Sequence, residues 1–313
     1  MKVLVTGSAG FIASSLIPKL KAAGHSIIGV DSLVSGSKNH KFTSDFCDHH
    51  FFDIVDADKL ISLLNGVDVV FHLAAKGNVV ESVKEPLENF NANVVSTLSL
   101  LEAMRHSNCK KIIFSSTGGA LMGNALPPVS ELTIPKPISP YGASKLACEG
   151  YLSAYTESYG FSSIILRFGN VYGPFSSHKV GVTNTWIRSS IEGRKIIIYG
   201  DGSSSRDYIH VDDLSDGLIQ SFLRIQSMGD SRLETYHLAN HQEVTLNQLK
   251  DILIKIIPDN SSLDVEYRNA RPGEVSRNFA DTSLARSKLG FSPQIIFSNG
   301  ISDLYHWIKK HER

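Results

Sequence analysis

Short runs of apolar, often β-branched residues alternate through the first half of the chain with longer stretches in which apolar positions recur every three or four residues. The runs at 2–6, 26–31, 69–72, 111–116 and 163–168 predict strands, and the periodic stretches between them predict helices. Strand and helix in strict alternation imply parallel pairing through right-handed crossovers. The expected fold class is therefore α/β, a doubly wound parallel sheet with helices on both faces and ligands at the carboxyl ends of its strands. After Asn170 the pattern loosens into turn-rich stretches such as 173–177 and 200–203, mixed with short helical segments. This predicts a smaller, mixed α/β C-terminal lobe. The expected division assigns 1–169 to the first unit, with 206–240 returning to it, and 170–205 and 241–313 to the lobe.

Composition changes the picture little. The 313 residues, 42% of them hydrophobic, suffice for the core of such a body. Lys plus Arg and Asp plus Glu each count 31, so no net charge draws the chain to nucleic acid or an anionic membrane, and neither is expected as a partner. Cys47, Cys109 and Cys148 are too few and scattered for a disulfide framework, which points to a reducing, cytoplasmic setting. Met1 leads directly into the run Val3-Leu4-Val5, with no export signal, and no stretch approaches the roughly 20 apolar residues of a membrane span.

The first strand is followed at once by Gly7-Ser8-Ala9-Gly10-Phe11-Ile12-Ala13, spaced G-x-x-G-x-x-A and opening a helix. In that context Gly7 permits a tight turn, Gly10 lets the backbone approach a pyrophosphate, and Ala13 allows close helix-sheet packing, the Rossmann-type arrangement. A turn serving packing alone would look similar. Asp31, ending the second strand, favours the cofactor reading: a carboxylate there accepts from ribose hydroxyls and repels a 2′-phosphate, so NAD is expected. Asp53-Ile54 falls where a third strand should end and suits an adenine contact or a surface turn. Leu73-Ala74-Ala75 suits a flat cofactor or plain core packing.

Tyr141 and Lys145 lie four apart near the start of an apparent helix, on one face. A phenol of ordinary pKa about 10 is a poor base, but an adjacent ammonium and a positive nicotinamide stabilise the phenolate. Such a pair also occurs by chance. The fifth strand, however, ends in Ser115-Ser116-Thr117, whose hydroxyls are placed to bond a substrate alcohol. Thr117, Tyr141 and Lys145 form the candidate catalytic triad.

With these motifs, and with 166–174 (LRFGNVYGP), 206–213 (RDYIHVDD) and 271–275 (RPGEV), nearly the whole chain resembles the extended short-chain dehydrogenases/reductases, specifically the NAD-dependent nucleotide-sugar epimerase/dehydratase family. The resemblance implies that Gly7, Gly10, Phe11, Ile12, Asp31, Ser35, Gly36, Asp53, Ile54, Leu73, Ala74, Ala75, Ser115, Tyr141, Lys145 and Phe168 hold NAD. It further implies that Asn170, Arg206 and Arg271 contact a nucleotide diphosphate, that Ile197 and Tyr199 flank the base, and that the partners are a UDP-sugar and a second copy of the chain. Two arginines supply the planar, multi-donor clamp a diphosphate needs, although a solvated surface arginine is the plainer reading. Helices at 85–105 and 141–159 would pair across such a homodimer or pack in the core. Surface-polysaccharide precursor synthesis is the role the family suggests.

The family's dehydratases carry an Asp-Glu pair just after the strand-end hydroxyl, where this chain has Gly118 and Gly119. Elimination then lacks its general acid and base. The expected reaction is 4-epimerisation through a transient 4-ketose, by similarity to the UDP-glucose and UDP-N-acetylglucosamine 4-epimerases. A dehydratase, other 4-keto chemistry and a non-catalytic nucleotide-sugar sensor are the alternatives. Met122 stands where the family usually has tyrosine and is expected to reshape the sugar pocket, and Ser8 replaces the usual second glycine. Asn278 falls at a position that gates the C2 substituent, and its small size is expected to admit an N-acetyl group. Cys47-Asp48-His49-His50 alternates faces in an extended segment, so these residues should not converge, and no metal is expected. His72 is expected to be buried and satisfied.

Overall fold

The structure is a computed structural model describing residues 1–34, 37–176, 179–257, 263–270 and 275–311. Its centre is a seven-stranded, wholly parallel sheet in the order β10-β6-β5-β4-β1-β2-β3. The strands are β1 (Lys2–Thr6), β2 (Ser26–Asp31), β3 (Asp48–Phe51), β4 (Val69–His72), β5 (Lys111–Thr117), β6 (Ser162–Phe168) and β10 (Leu233–Leu238). Between them run α1 (Phe11–Ala22), α2 (Ala57–Leu63), α3 (Val79–Lys84), α4 (Pro86–Phe90), α5 (Ser96–Arg105), the short α6 (Gly119–Met122) and α7 (Pro140–Tyr159).

Period-two alternation in each strand feeds two cores. Val3, Val5, Ile113 and Leu166 join α1 on one face, and Leu4, Ile112, Phe114 and Ile165 join α5 and α7 on the other. Each such side chain, fully buried, contributes about 1.5–3 kcal/mol. The order of strands reverses at β1, with β2 on one side and β4 on the other, which opens a crevice at their carboxyl ends.

The smaller lobe has a four-stranded sheet in which β9 (Ser205–His210) pairs with β7 (Asn170–Tyr172), β11 (Glu243–Thr245) and β13 (Arg277–Asn278). A second pair joins β8 (Ile196–Tyr199) to β12 (Val265–Arg268). Helices α8 (Val182–Ile191), α10 (Leu246–Ile256) and α12 (Phe297–His311) supply Trp186, Leu253 and Ile301 to its core. Of the stretch 206–240, β9 thus pairs outside the large sheet. Helix α9 (Val211–Ser227) packs on α1, where Ser15 donates to Asp212 at 2.6 Å, and β10 extends the large sheet beside β6. Helix α11 (Ser283–Leu289) packs against α9 and β10.

The long helix expected over 85–105 is interrupted: a π-helical turn occupies Asn91–Val95 between α4 and α5. Its cause is tertiary. Asn93 accepts from the Lys76 amide at 2.8 Å and donates to Ser144 Oγ at 3.0 Å, contacts that a plain helix would aim elsewhere. No helix among the described residues is long and apolar enough to cross a membrane.

Candidate active site

Helix α7 begins where Ser139 caps it, accepting from the Gly142 amide at 3.2 Å, with Pro140 in the first turn. Tyr141, Lys145 and Glu149 follow at four-residue spacing on one face. Glu149 anchors that face to the sheet. Ser116 of β5 donates to it at 2.6 Å, and Arg167 of β6 donates to its two carboxylate oxygens at 3.1 and 2.7 Å. Glu149 and Arg167 are each only 8% exposed, so this is a buried, multiply bonded pair. It fixes Tyr141 beside the end of β5.

There Thr117 lies close enough to the Tyr141 hydroxyl to favour its ionised form. Burial pushes the phenol up to about 12, against the opposing pull of Thr117. Lys145 donates from Nζ to the Ser115 carbonyl at 2.8 Å and lies 4.6 Å from the centre of the Phe114 ring. Burial draws its ammonium down to about 8, with Cys148 and Glu149 opposing. Lys145, one helical turn along α7 from Tyr141, thus has its hydrogen-bond partner at the end of β5. The chain's own groups keep Tyr141 protonated at neutral pH.

The first turn after β1 fits a dinucleotide. Gly7 has φ +69°, and a Cβ on it would lie 2.8 Å from the Ala74 amide nitrogen, so only glycine allows the turn to close on the end of β4. Gly10 precedes α1 without a side-chain cap, leaving the helix N-terminus open to an anion, with Phe11 buried and Ile12 half-buried behind it. Asp31 accepts from the Ala9 amide at 3.0 Å and the Leu33 amide at 2.7 Å, and burial raises its pKa. It thereby ties the glycine turn to the end of β2. Ser8, the departure from the usual glycine, is fully buried and shares a hydrogen bond with His49 Nδ1 at 3.1 Å.

His49 also meets Thr43 at 3.0 Å and Cys47 at 3.2 Å. Cys47 and His49 thus do converge, contrary to expectation, because residues two apart share a face. Burial pushes the Cys47 thiol up to about 12, which keeps it protonated, and no group of three metal-ligating side chains occurs among the described residues. His72 is buried between Thr6 and Thr97, at 2.7 and 2.9 Å, and is held neutral with its pKa drawn down to about 3.

Along the crevice, Asp53 is exposed and Ile54 buried just past β3, while Leu73 and Ala74 are half-buried and Ala75 exposed past β4. Ser115 donates to the His72 carbonyl at 2.9 Å, and the Phe168 carbonyl accepts from Gly118 at 2.9 Å. Asn170 is exposed at the start of β7, Ile197 and Tyr199 are half-buried on β8, and Arg206 on β9 lies in register with Asn278. Beside Tyr199 a recess of about 910 Å³ is lined by Gly200, Asp201, Tyr267, Arg268, Asn269 and Ala270. Ser35, Gly36 and Arg271 lie outside the described residues.

Met122 corrects another expectation. It is fully buried with Leu121, Val129, Ala239 and Ala280, so this flexible apolar side chain fills a small core behind the sugar side of the crevice and does not line it.

What does shape the step after Thr117 was not visible in the sequence. A Cβ on Gly118 would lie 3.3 Å from His237 Nδ1 and from the Phe168 carbonyl oxygen, and one on Gly119 would lie 3.2 Å from Asn278 Oδ1. His237 is fully buried, and its ring is kept neutral by a pKa drawn down to about 4, chiefly by burial and by Arg167. Asn278 is buried with its Nδ2 lacking a partner among the described residues. No local pattern foretells these pairings, which join residues far apart in sequence.

A model of the NAD dependent epimerase/dehydratase family matches residues 3–234. The whole chain superimposes on UDP-glucose 4-epimerase with UDP-glucose from Thermotoga maritima, 34% identical over 100% of both chains with a TM-score of 0.92. It is similarly close to UDP-N-acetylglucosamine 4-epimerase from Methanobrevibacter ruminantium in complex with UDP-N-acetylmuramic acid, at 32% identity and a TM-score of 0.89 over 99% of this chain and 98% of that one. UDP-glucuronic acid 4-epimerase from Bacillus cereus, in complex with UDP-glucuronic acid and NAD, is 29% identical over 99% of each chain with a TM-score of 0.90.

Proposed function

The chain belongs to the NAD-dependent epimerase/dehydratase family and is an isomerase with NAD as its cofactor, and on that premise we propose that it inverts C4 of a UDP-linked hexose or N-acetylhexosamine through a transient 4-ketose. The observation that carries this reading is the bare step after Thr117. Gly118 and Gly119 offer no carboxylate, and His237 and Asn278 crowd the positions where one would begin. Loss of water from C5 and C6 needs an acid and a base there; inversion needs neither.

The residues divide the work. Gly7, Gly10 and Asp31 hold the dinucleotide, with Ala74 and Ala75 along its flat end. When bound, NAD supplies the reversible two-electron oxidation at C4. Thr117 and Tyr141 hold the C4 hydroxyl, and Tyr141 takes its proton and later returns it. Lys145 orients the strand end beneath them through the Ser115 carbonyl. Asn170 and Arg206, with Arg271 from the sequence, retain the diphosphate while the ketose turns, so that reduction from the other face inverts C4. A sensor without turnover would not require Thr117 and Tyr141 to meet.

Proton NMR of the protein with NAD and each of UDP-glucose and UDP-N-acetylglucosamine tests the reading. Galacto-configured product without net reduced cofactor is expected. A 6-deoxy-4-keto product would overturn it in favour of dehydration.

The small side chain of Asn278, seated against Gly119, favours a substrate that carries an N-acetyl group at C2. Replacing Asn278 by the larger tyrosine is expected to raise KM for UDP-N-acetylglucosamine by about tenfold, about 1.4 kcal/mol, and to leave UDP-glucose unaffected. Equal effects on the two sugars would refute this preference.

Exposed apolar residues on α3, α4 and α7 support a homodimer: Val83 is 62% exposed, Leu87 77%, Phe90 48% and Tyr151 40%. A second copy covers them, and sedimentation as a monomer at micromolar concentration would contradict this. Three unpaired cysteines, two of them buried, fit a cytoplasmic setting, which disulfides in protein isolated under thiol-blocking conditions would exclude.

A further inference from the structure

Of the atoms that face the reactive phenol, the most informative is one the chain lacks. Gly77 lies in the crevice, exposed, in the loop between β4 and α3. A Cβ built on it would have the Tyr141 hydroxyl oxygen at 3.8 Å and no other neighbour within 4 Å among the described residues, its chain neighbours aside. Its φ lies outside the positive range that demands glycine. Neither backbone conformation nor packing in the protein therefore requires glycine here.

The backbone at this point is nonetheless held on both sides. The Lys76 amide donates to Asn93 at 2.8 Å, and the Lys76 carbonyl accepts from Asn89 at 3.1 Å and Asn93 at 3.2 Å. The Lys76 side chain is drawn away into ion pairs with Glu81 and Glu88. On the other side Asn78 caps α3, accepting from the Glu81 amide at 3.2 Å, and Ser82 of that helix accepts from the Tyr141 amide, also at 3.2 Å. A methyl group placed at 77 would stay where it is built, over the phenol.

We infer that the missing side chain of Gly77 is the room in which the 4-ketose turns, and that this position sets how bulky a ring the enzyme can invert. The inference rests on the 4-epimerase reading above. A substrate oxygen bonded to Tyr141 sits within roughly 3 Å of the phenol, and the ring carbons lie just beyond it. A static ring can settle beside a methyl group, but a ring that presents both faces in succession sweeps the same space. Gly77 thus acts on the turning step more than on binding, and more on an N-acetylhexosamine than on a plain hexose.

The test is Gly77→Ala beside the wild type, each assayed for bound NAD, melting temperature, formation of reduced nicotinamide on adding sugar nucleotide, and epimerisation by NMR. NAD content, melting temperature and KM are expected to be unchanged and reduced nicotinamide still to form. The kcat for inversion should fall about a hundredfold, the scale of a misplaced reacting group, with the larger loss on UDP-N-acetylglucosamine. If the variant epimerises both sugars at the wild-type rate, or its loss follows from lost NAD or lowered melting temperature, the inference is overturned and the proposed function stands. If the wild type converts neither sugar, the proposed function falls and takes this inference with it.

Discussion

Tyr141→Phe is expected to lower kcat by roughly a thousandfold, within the range measured for removal of a positioned acid or base. NAD should remain bound and the melting temperature should hold, because the ring keeps its packing and only the hydroxyl beside Thr117 is removed. The pH profile is a second readout. Burial pushes the phenol up to about 12, so its proton-accepting form is scarce at neutral pH and grows as pH rises. A positive charge brought to the site lowers that pKa and shifts the rising limb toward neutrality. Wild-type kcat/KM should accordingly climb with pH, and the variant should lose the climb along with the activity. A variant that keeps a tenth of the wild-type rate would remove Tyr141 from the chemistry.

The largest effect on stability is expected at the buried pair behind the site. Arg167→Leu leaves the Glu149 carboxylate with Ser116 as its remaining side-chain donor in a nearly dry setting, and should cost about 3–5 kcal/mol in urea unfolding. Glu149→Leu, which strands the guanidinium, should cost a similar amount. The double replacement is expected to recover most of the loss, since two apolar side chains of comparable volume need no desolvated charge to be matched. Losses that simply add in the double variant would show that the two residues act independently. Because Glu149 shares a helix face with Tyr141 and Lys145, the single variants should also be less active than their folded fraction explains.

How much of this was legible in the sequence follows from where each signal resides. Strands β1, β2 and β4 match their apolar runs to the residue, because parallel strands buried on both faces read as continuous apolar segments. β3 does not: Asp48-His49-His50-Phe51 is a polar edge strand, and only Asp53 and Ile54 marked its end. The pairing of Tyr141 with Thr117 was readable because a four-residue helical spacing and a strand end are both local signals. The π-helical turn at Asn91–Val95 was not, since Lys76 and Ser144 decide it from other elements. Met122 was misjudged for a similar reason. Its neighbours in the chain lie along the site, and only the packing of Val129 and Ala280 reveals that it is turned inward. Gly77 and His237 carry no motif at all, and their importance appears only in distances to Tyr141 and Gly118.

The seating of His237 against Gly118, and of Asn278 against Gly119, bears on how such a protein can diverge. A carboxylate introduced at either glycine meets a neighbour already in possession of the space, at 3.3 or 3.2 Å from its first carbon. A carboxylate at 118 would be eased by a change at 237, and one at 119 by a change at 278. The two companions lie on different strands, in different lobes, more than a hundred residues downstream. On the proposed reading, what a carboxylate at this step does to the reaction depends on residues in both lobes, at 237 and 278, and not on the local motif alone.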